Sequence, residues 1–377
     1  MIEFTFWLCI ALLAHIYFLY PWTLRIFAFF RKRFGNGNSE VESGELRVES
    51  GVKSVSIIIA AHNEEAVIEA KINNTLELNY PQMEILIGDD GSTDKTAEIV
   101  AKFPEVRLIR HGTNDGKAAM LNYLFQEATG EILVFSDANT MLDSSALENL
   151  VAKFADESVG CVCGKLSLID ESGYELSETE SIYWSIESNV KHLESCFGAV
   201  MGSNGALYAI RASLYPGLPT HKTVMDDFYI TVKILMKNYL CVFCENALAF
   251  ETTSTSKFGE FKRKIRIGRA NFNFLSEYLP LLSFRTPMKA YIFLSHKLLR
   301  WFSPFFLLIL FFSSTLLLQN HVFYKLFLTA ELMFTVTAFL GVKVSNYFLS
   351  MNLALLIGFC KLFKKEKSGA WERVERV

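Results

Sequence analysis

The sequence predicts an α/β protein: a mostly parallel sheet with flanking helices, set between apolar helices at both ends of the chain. Three observations carry that expectation. Short apolar, β-branched runs at Ser56 to Ala61, Glu84 to Gly88 and Glu131 to Ser136 alternate with stretches of helical length, the pattern of strands covered on both faces. Each run ends in carboxylates or amides, where a parallel sheet opens its ligand crevice. Of the 377 residues, 51% are hydrophobic and 33 are Phe. That is too apolar for an ordinary soluble enzyme, and the excess gathers at the two ends.

Residues 1–30 come first. Phe4 to Tyr20 has no charge, and the apolar character resumes after Pro21 up to Phe30, interrupted only by Arg25. Roughly 20 apolar residues cross a bilayer, so this stretch is expected as a transmembrane anchor. A cleaved signal peptide would want a basic start and a small-residue cleavage site. This chain begins Met1-Ile2-Glu3, and its basic cluster, Arg31, Lys32 and Arg33, follows the apolar run. An uncleaved anchor is therefore expected, with the next domain cytoplasmic by the positive-inside rule. Residues 31–54 are polar, rich in Gly, Ser and Glu, and read as a linker.

Residues 55–285 read as one domain. Asn63, Glu64 and Glu65 follow the first strand, and Asp89 and Asp90 follow the second, leading into a Gly-Ser-Thr turn. Ser92 and Asp94 suit helix N-caps, but capping leaves Glu64, Asp89 and Asp90 on one cleft unexplained. The third strand delivers Asp137-Ala138-Asn139, which suits turn formers before a helix at Ser144 to Phe154. "VMDDFYITVKIL" opens an amphipathic helix with two adjacent acids, Asp226 and Asp227. Adjacent acids disfavour double ionisation, and both could satisfy the helix N-terminus.

The runs "IIIAAHNEE", "ILIGDDGSTD", "NDGKAAMLNYL" and "EILVFSDANTMLD", in that order, resemble the nucleotide-sugar-binding half of an inverting family-2 glycosyltransferase. The resemblance extends from Val55 to Asn273 and implies a GT-A fold, a Rossmann-like sheet fused to an acceptor-binding part. It implies that Ala60, Glu64 and Asp90 line the nucleoside pocket, with Lys117 near the base or diphosphate. A solvated lysine at a helix start is the alternative for Lys117. Asp137, with Asn139 as a weaker partner, would hold Mg2+ or Mn2+. Asp227 would deprotonate the acceptor, oriented by Asp226, and Arg266 would face the diphosphate. In the glycine-rich segment Gly198 to Arg211, Ser203 and Asn204 would contact the acceptor sugar; a tight structural turn explains the glycines nearly as well.

This chain departs from the family pattern at two places. Asn139 stands where a second Asp commonly completes Asp-x-Asp. The Gln-x-x-Arg-Trp of processive members aligns with Arg263, Arg266 and Ile267, so the Trp platform for an acceptor sugar is missing.

The C-terminal third is again apolar. Residues 286–300 are expected as an amphipathic interfacial helix, 301–360 as transmembrane segments, and 361–377 as a charged tail. One anchor plus three later spans would place Lys361 and Lys364 outside, against the charge rule. Either one C-terminal segment is re-entrant or interfacial, or the rule fails here. Seven cysteines, an odd number, scattered through a domain read as cytoplasmic argue against a disulfide framework. Cys161, Cys163, Cys241 and Cys244 lie in apolar runs that read as strands, without the layout of a zinc site.

The expected function is that of a membrane-bound inverting glycosyltransferase of hexosyl or N-acetylhexosaminyl type in a bacterial-type cell membrane. It would move a sugar from a nucleoside diphosphate sugar, a UDP-sugar first, to a lipid-linked or saccharide acceptor at the cytoplasmic face, in polysaccharide or glycolipid synthesis. Membrane lipid is an expected partner and nucleic acid is not. A processive synthase is the nearest alternative, a catalytically silent nucleotide- or saccharide-binding membrane protein the more distant one. A transporter has thin support, since Glu331 is the one clear intramembrane acid.

Overall fold

The computed structural model describes residues 1–34, 53–78, 80–169, 178–252 and 257–364. The linker expected at 31–54 and the tail expected at 361–377 lie largely outside them. The chain divides into two units, one of Met1–Phe27 with Ser256–Lys365 and one of Ala28–Thr255.

Helix α1 (Ile2–Arg33) opens the chain. The unit of Ala28–Thr255 then builds an eight-stranded sheet from β1 (Val55–Ala61), β2 (Met83–Asp90), β3 (Val106–His111), β4 (Ile132–Phe135), β5 (Thr140–Leu142), β6 (Val159–Ile169), β7 (Tyr208–Arg211) and β8 (Leu240–Thr252). Between the strands run α2 (Ile68–Leu76), α3 (Thr96–Val100), α4 (Lys117–Glu127), α5 (Ala146–Ala152), α6 (Glu178–Ser195) and α7 (Asp226–Met236). The sheet order is β3-β2-β1-β4-β7-β6-β8-β5. β1, β2, β3 and β4 are mutually parallel, and β7 joins β4 antiparallel.

Every residue of β1 is buried, which is why it reads as an unbroken apolar run rather than an alternating one. Ile57, Ile59, Ile85, Ile87 and Val134 pack with Ile68 and Ile72 of α2 and with Leu147 and Leu150 of α5 in the main core. The chain leaves β1 towards β2 and β3, then returns to the other edge of β1 as β4. That reversal opens a crevice beyond the carboxyl ends of β1 and β4. Close approach at the opposite end needs a glycine: Gly130 N–H donates to Ser56 Oγ at 2.8 Å, and a Cβ there would lie 2.5 Å from the Ser56 backbone nitrogen.

The unit of Met1–Phe27 with Ser256–Lys365 adds α8 (Lys257–Asn273), α9 (Pro287–Leu316), α10 (Val322–Phe339) and α11 (Lys343–Cys360). Among the described residues, α1, α9, α10 and the helix continuing α11 are long and apolar enough to cross a membrane. The separate interfacial helix expected at 286–300 is not a separate element. It runs without a break into the apolar part of α9 through a π-helical turn, Phe293–Leu298. Two of its polar residues, Ser295 and His296, are buried, and the His15 ring hydrogen-bonds Ser295 Oγ at 2.9 Å. His15 itself sits in a π-helical turn of α1, His15–Leu19.

α11 does not run along α9. Ser303 of α9 donates to Asn352 at 2.6 Å, and Phe305 meets Phe359 with ring centroids 5.0 Å apart. From Asn352 to Phe359 is about 10 Å of helix, yet the partners in α9 are only two residues apart, so the helices cross steeply. α11 lies along α8 instead. A Cβ on Gly358 would come within 2.8 Å of the Arg269 nitrogen, and one on Gly268 within 3.3 Å of Leu355 Cα. Paired small residues let these two backbones touch.

Candidate active site

The carboxyl ends of β1 and β2 are stitched together by their own loops. Asn63, in the left-handed region at φ 56°, accepts from Thr93 N–H at 2.8 Å, and its own N–H donates to Ser92 Oγ at 2.9 Å. Glu64 N–H donates to Thr96 Oγ1, and Glu65 N–H to Asp94. Asp90, at the end of β2, has no exposed surface. Its two oxygens accept the N–H groups of Asp115 at 3.0 Å and Gly116 at 2.8 Å. Burial pushes its pKa up, and those two donors hold it back. Gly116 takes φ 93°, a value that favours glycine, and α4 begins at the next residue, Lys117.

Lys117 is the cation of the crevice. Its Nζ lies 2.7 Å from Asp137 Oδ1, just past β4, and 3.2 Å from Asp226 Oδ2, at the start of α7. Burial would lower the Lys117 pKa, but the charges of Asp137, Asp226 and Asp227 outweigh it and raise it. The lysine is 28% exposed and Asp137 36%, so both remain within reach of solvent. Asp227 is partly buried, and its Oδ1 accepts the N–H of Phe228 at 2.7 Å. Burial and the neighbouring Asp226 raise its pKa to about 6, against the pull of Lys117. The donor-side and acceptor-side acids expected from sequence are thus brought together by one ammonium.

Other expected residues sit differently. Ala60 is buried in β1 beside Gly88 of β2, and Glu64 is partly exposed at the crevice rim. Asn139 donates through its amide to Glu251 of β8. Ser203 and Asn204 turn inward. Ser203 Oγ lies 2.9 Å from Thr231 Oγ1, while Asn204 donates to the Gly164 carbonyl at 3.0 Å and accepts from Leu207 N–H at 3.1 Å. Their polar ends tie the loop to β6 and α7. Next to them, Gly205 backs onto Asp137, whose Oδ2 a Cβ there would meet at 3.1 Å. Arg266 is exposed on α8, in the other unit.

Residues 56–215 match the family described as Glycosyl transferase family 2. Over those residues the chain carries a family-2 glycosyltransferase domain. Among curated proteins, it is 27% identical over 222 residues to a poly-beta-1,6-N-acetyl-D-glucosamine synthase of Staphylococcus epidermidis. It is 26% identical over 222 residues to the enzyme of the same name from Staphylococcus aureus strain COL. Each match covers 57% of this chain and 54% of the relative, so the chain spans about half the length of the curated relatives it matches. A solved mannosyltransferase of Pyrobaculum calidifontis, in complex with GDP-Man and Mn2+, superposes with TM-score 0.69 over 97% of this chain and 100% of that one, at 22% identity. The fold is GT-A.

One residue of the family-2 domain escaped the sequence reading. Lys71 lies on the core face of α2, between Ile68 and Ile72, and is fully buried. Its Nζ donates to Ser136 Oγ at 2.8 Å and to the Thr140 carbonyl at 2.6 Å, bracketing the turn that carries Asp137 and Asn139. Burial lowers its pKa to about 7, with the Asp137 charge pulling the other way. The available signal was a lone lysine at an apolar position of a helical stripe. A stacked aromatic layer was equally invisible: Phe125, Tyr215, Phe135 and Tyr208 are linked ring to ring, with Phe135 and Tyr208 4.7 Å apart.

Lys71→Met is expected to cost about 1–3 kcal/mol of stability by removing two buried hydrogen bonds, to Ser136 Oγ and the Thr140 carbonyl. By displacing Asp137 it is expected to slow turnover by roughly ten- to a hundred-fold. A melting curve alongside steady-state kinetics checks both; a variant that melts lower but turns over at the wild-type rate would show that Lys71 does not position the site.

Proposed function

We propose that this protein is a membrane-bound inverting glycosyltransferase. It moves a hexosyl or N-acetylhexosaminyl group from a nucleoside diphosphate sugar, a UDP-sugar first, to a lipid-linked or saccharide acceptor. The observation that carries the reading is the Lys117 bridge, which brings the donor strand's Asp137 and the acceptor helix's Asp226 to one point beside Asp227.

In this reading Asp227 accepts the proton of the acceptor hydroxyl as it attacks the anomeric carbon, and the nucleoside diphosphate leaves from the opposite face. A base poised near pH 6 serves at neutral pH, because it is ionised yet basic enough to take the proton. The charge that develops on the diphosphate meets the ammonium of Lys117. Arg266 is assigned to the same charge on its motif position, a guanidinium being matched to phosphate. Ala60, Glu64 and Asp90 form the nucleoside end, with Asp90 acting chiefly by holding the turn that presents Lys117.

The residues fit a divalent cation held jointly with substrate rather than in a protein cage. Among the described residues no three His, Cys, Asp or Glu side chains converge on such an ion. Asp137 supplies one carboxylate, and Mg2+ or Mn2+ is commonly completed by substrate phosphates and water. Asp137, with Asn139 beside it, would hold the ion, which when bound would neutralise the leaving diphosphate.

We place the family-2 domain on the cytoplasmic side, supported by Arg31, Lys32 and Arg33 at the end of α1 and the positive-inside rule. The steep crossing of α11 and α9 supports three crossings, by α1, α9 and α10, with α11 lying in the interface. Lys361 and Lys364 then stay on the cytoplasmic side. Cys360 is exposed. In a Cys196→Ser background, a membrane-impermeant thiol reagent is expected to label Cys360 in inside-out vesicles and not in right-side-out ones; the reverse pattern would make α11 a fourth crossing.

Asp227→Asn is expected to lower turnover by about 10²- to 10⁴-fold while nucleotide binding persists. In the wild type, kcat/KM is expected to rise with pH up to about pH 6 and then level off, because the base works only when deprotonated. A variant with normal turnover would remove Asp227 from the chemistry.

The polymer-forming names of the curated relatives support a second reading, processive synthesis. Against it, Ile267 offers no flat ring on which an acceptor sugar could stack at every addition. The donor is found by incubating detergent-purified protein with a panel of nucleotide sugars and Mg2+ or Mn2+, and measuring free diphosphate. Sizing the radiolabelled product is then expected to show one or a few sugars per acceptor. A high-molecular-weight polymer appearing while most acceptor is unused would establish the synthase.

A further inference from the structure

The ammonium of Lys117 stands where a donor-bound cation would have to go. It is 2.7 Å from Asp137 Oδ1, the carboxylate assigned to the metal. An oxygen-bound Mg2+ or Mn2+ would lie about 2.1 Å from that oxygen. A dication on the same carboxylate would bring two positive centres within a few ångströms of each other, so each weakens the hold of Asp137 on the other.

Lys117 has somewhere to go. Its second partner, Asp226 Oδ2, lies 3.2 Å away on α7. That oxygen is buried and has no aligned hydrogen bond, so it holds the lysine by charge alone. The side chain is anchored at its base, since α4 begins at Lys117 on a turn fixed by Asp90. Only the flexible stem has to swing. Residue 139 tilts the balance further. An aspartate there would add a second anion and favour the dication; Asn139 adds none, and its amide is engaged with Glu251.

We propose that Lys117 is a resident counter-cation that competes with the divalent ion for Asp137, offsetting part of the crevice's negative charge without donor and passing to the diphosphate when ion and nucleotide enter together. This rests on the donor reading above and adds to it an order of occupancy: nucleotide binding promotes metal binding because the diphosphate gives the displaced lysine a new partner.

The test is Mn2+ affinity, followed by the electron paramagnetic resonance of free Mn2+, in detergent-purified wild type, Lys117→Met and Lys117→Arg. Without nucleotide, Lys117→Met is expected to bind Mn2+ about ten-fold more tightly or better, from removal of one competing charge, and Lys117→Arg to resemble wild type. With UDP, and in parallel GDP, the nucleotide is expected to raise Mn2+ affinity more in wild type than in Lys117→Met. Unchanged or weaker Mn2+ binding by Lys117→Met overturns the exchange. Should that variant not fold, the wild type decides: acylation of Lys117, read by mass spectrometry, is expected to speed up on adding Mn2+ alone, and an unaltered rate overturns the proposal. Failure of both UDP and GDP to bind wild type would instead remove the donor reading on which the exchange rests.

Discussion

The catalytic end of the domain depends on one buried carboxylate. Asp90 has no exposed surface, and leaving such a charge without partners would be very costly. It is satisfied by two backbone N–H groups of a single turn, Asp115 and Gly116, and charge-assisted bonds of this kind are about twice as strong as neutral ones. The same residue's carbonyl receives the His62 ring at 2.7 Å, and that ring also meets Asn114. Asp90 therefore joins β2, the loop after β1 and the turn before α4. Everything that α4 presents to the crevice, Lys117 first, inherits its position from this bond set.

Around that fixed point the charges are arranged against apolar walls. Asp137, Asp226 and Asp227 face one lysine at the crevice, and the rings of Phe135, Tyr208 and Tyr215 lie stacked beneath. Burial and the acids push the tyrosine hydroxyls well above their ordinary range, so these rings carry no charge into the site. Behind Asp137, Lys71 holds the backbone of the same turn from inside the core. One lysine thus positions the turn while the other balances its charge.

Much of this was legible in the sequence, and the reasons for success and failure are physical. Strands covered on both faces must be apolar throughout, so β1, β2 and β4 announced themselves; Asp89 at the end of β2, expected on the cleft, instead pairs with Arg110 of β3 and accepts the Ser92 N–H. Lys71 was hidden because a lysine on a helix is ordinarily solvated; its burial depends on Ser136 and Thr140, which are distant in sequence. The direction of Ser203 and Asn204 was hidden because a glycine-rich composition specifies backbone freedom but no rotamer. Hydropathy counted the length of α11 correctly, yet it carries no information on the angle at which a helix meets its neighbours. The polar stripe at residues 286–300 was visible, but the bond of Ser295 beside it to His15 in another helix was not.

A lysine shared by two acids also makes the two halves of the crevice unequal in time. While Asp137 holds the ammonium, Asp226 is pulled towards the same charge, and the acceptor side keeps its resting electrostatics. In the proposed exchange the departing lysine would leave Asp226 without its counter-ion, while an ion on Asp137 would pull the other way on Asp227. The charge facing Asp227 would thus be reset only once the donor has arrived. Such a sequence favours ordered addition, sugar nucleotide first.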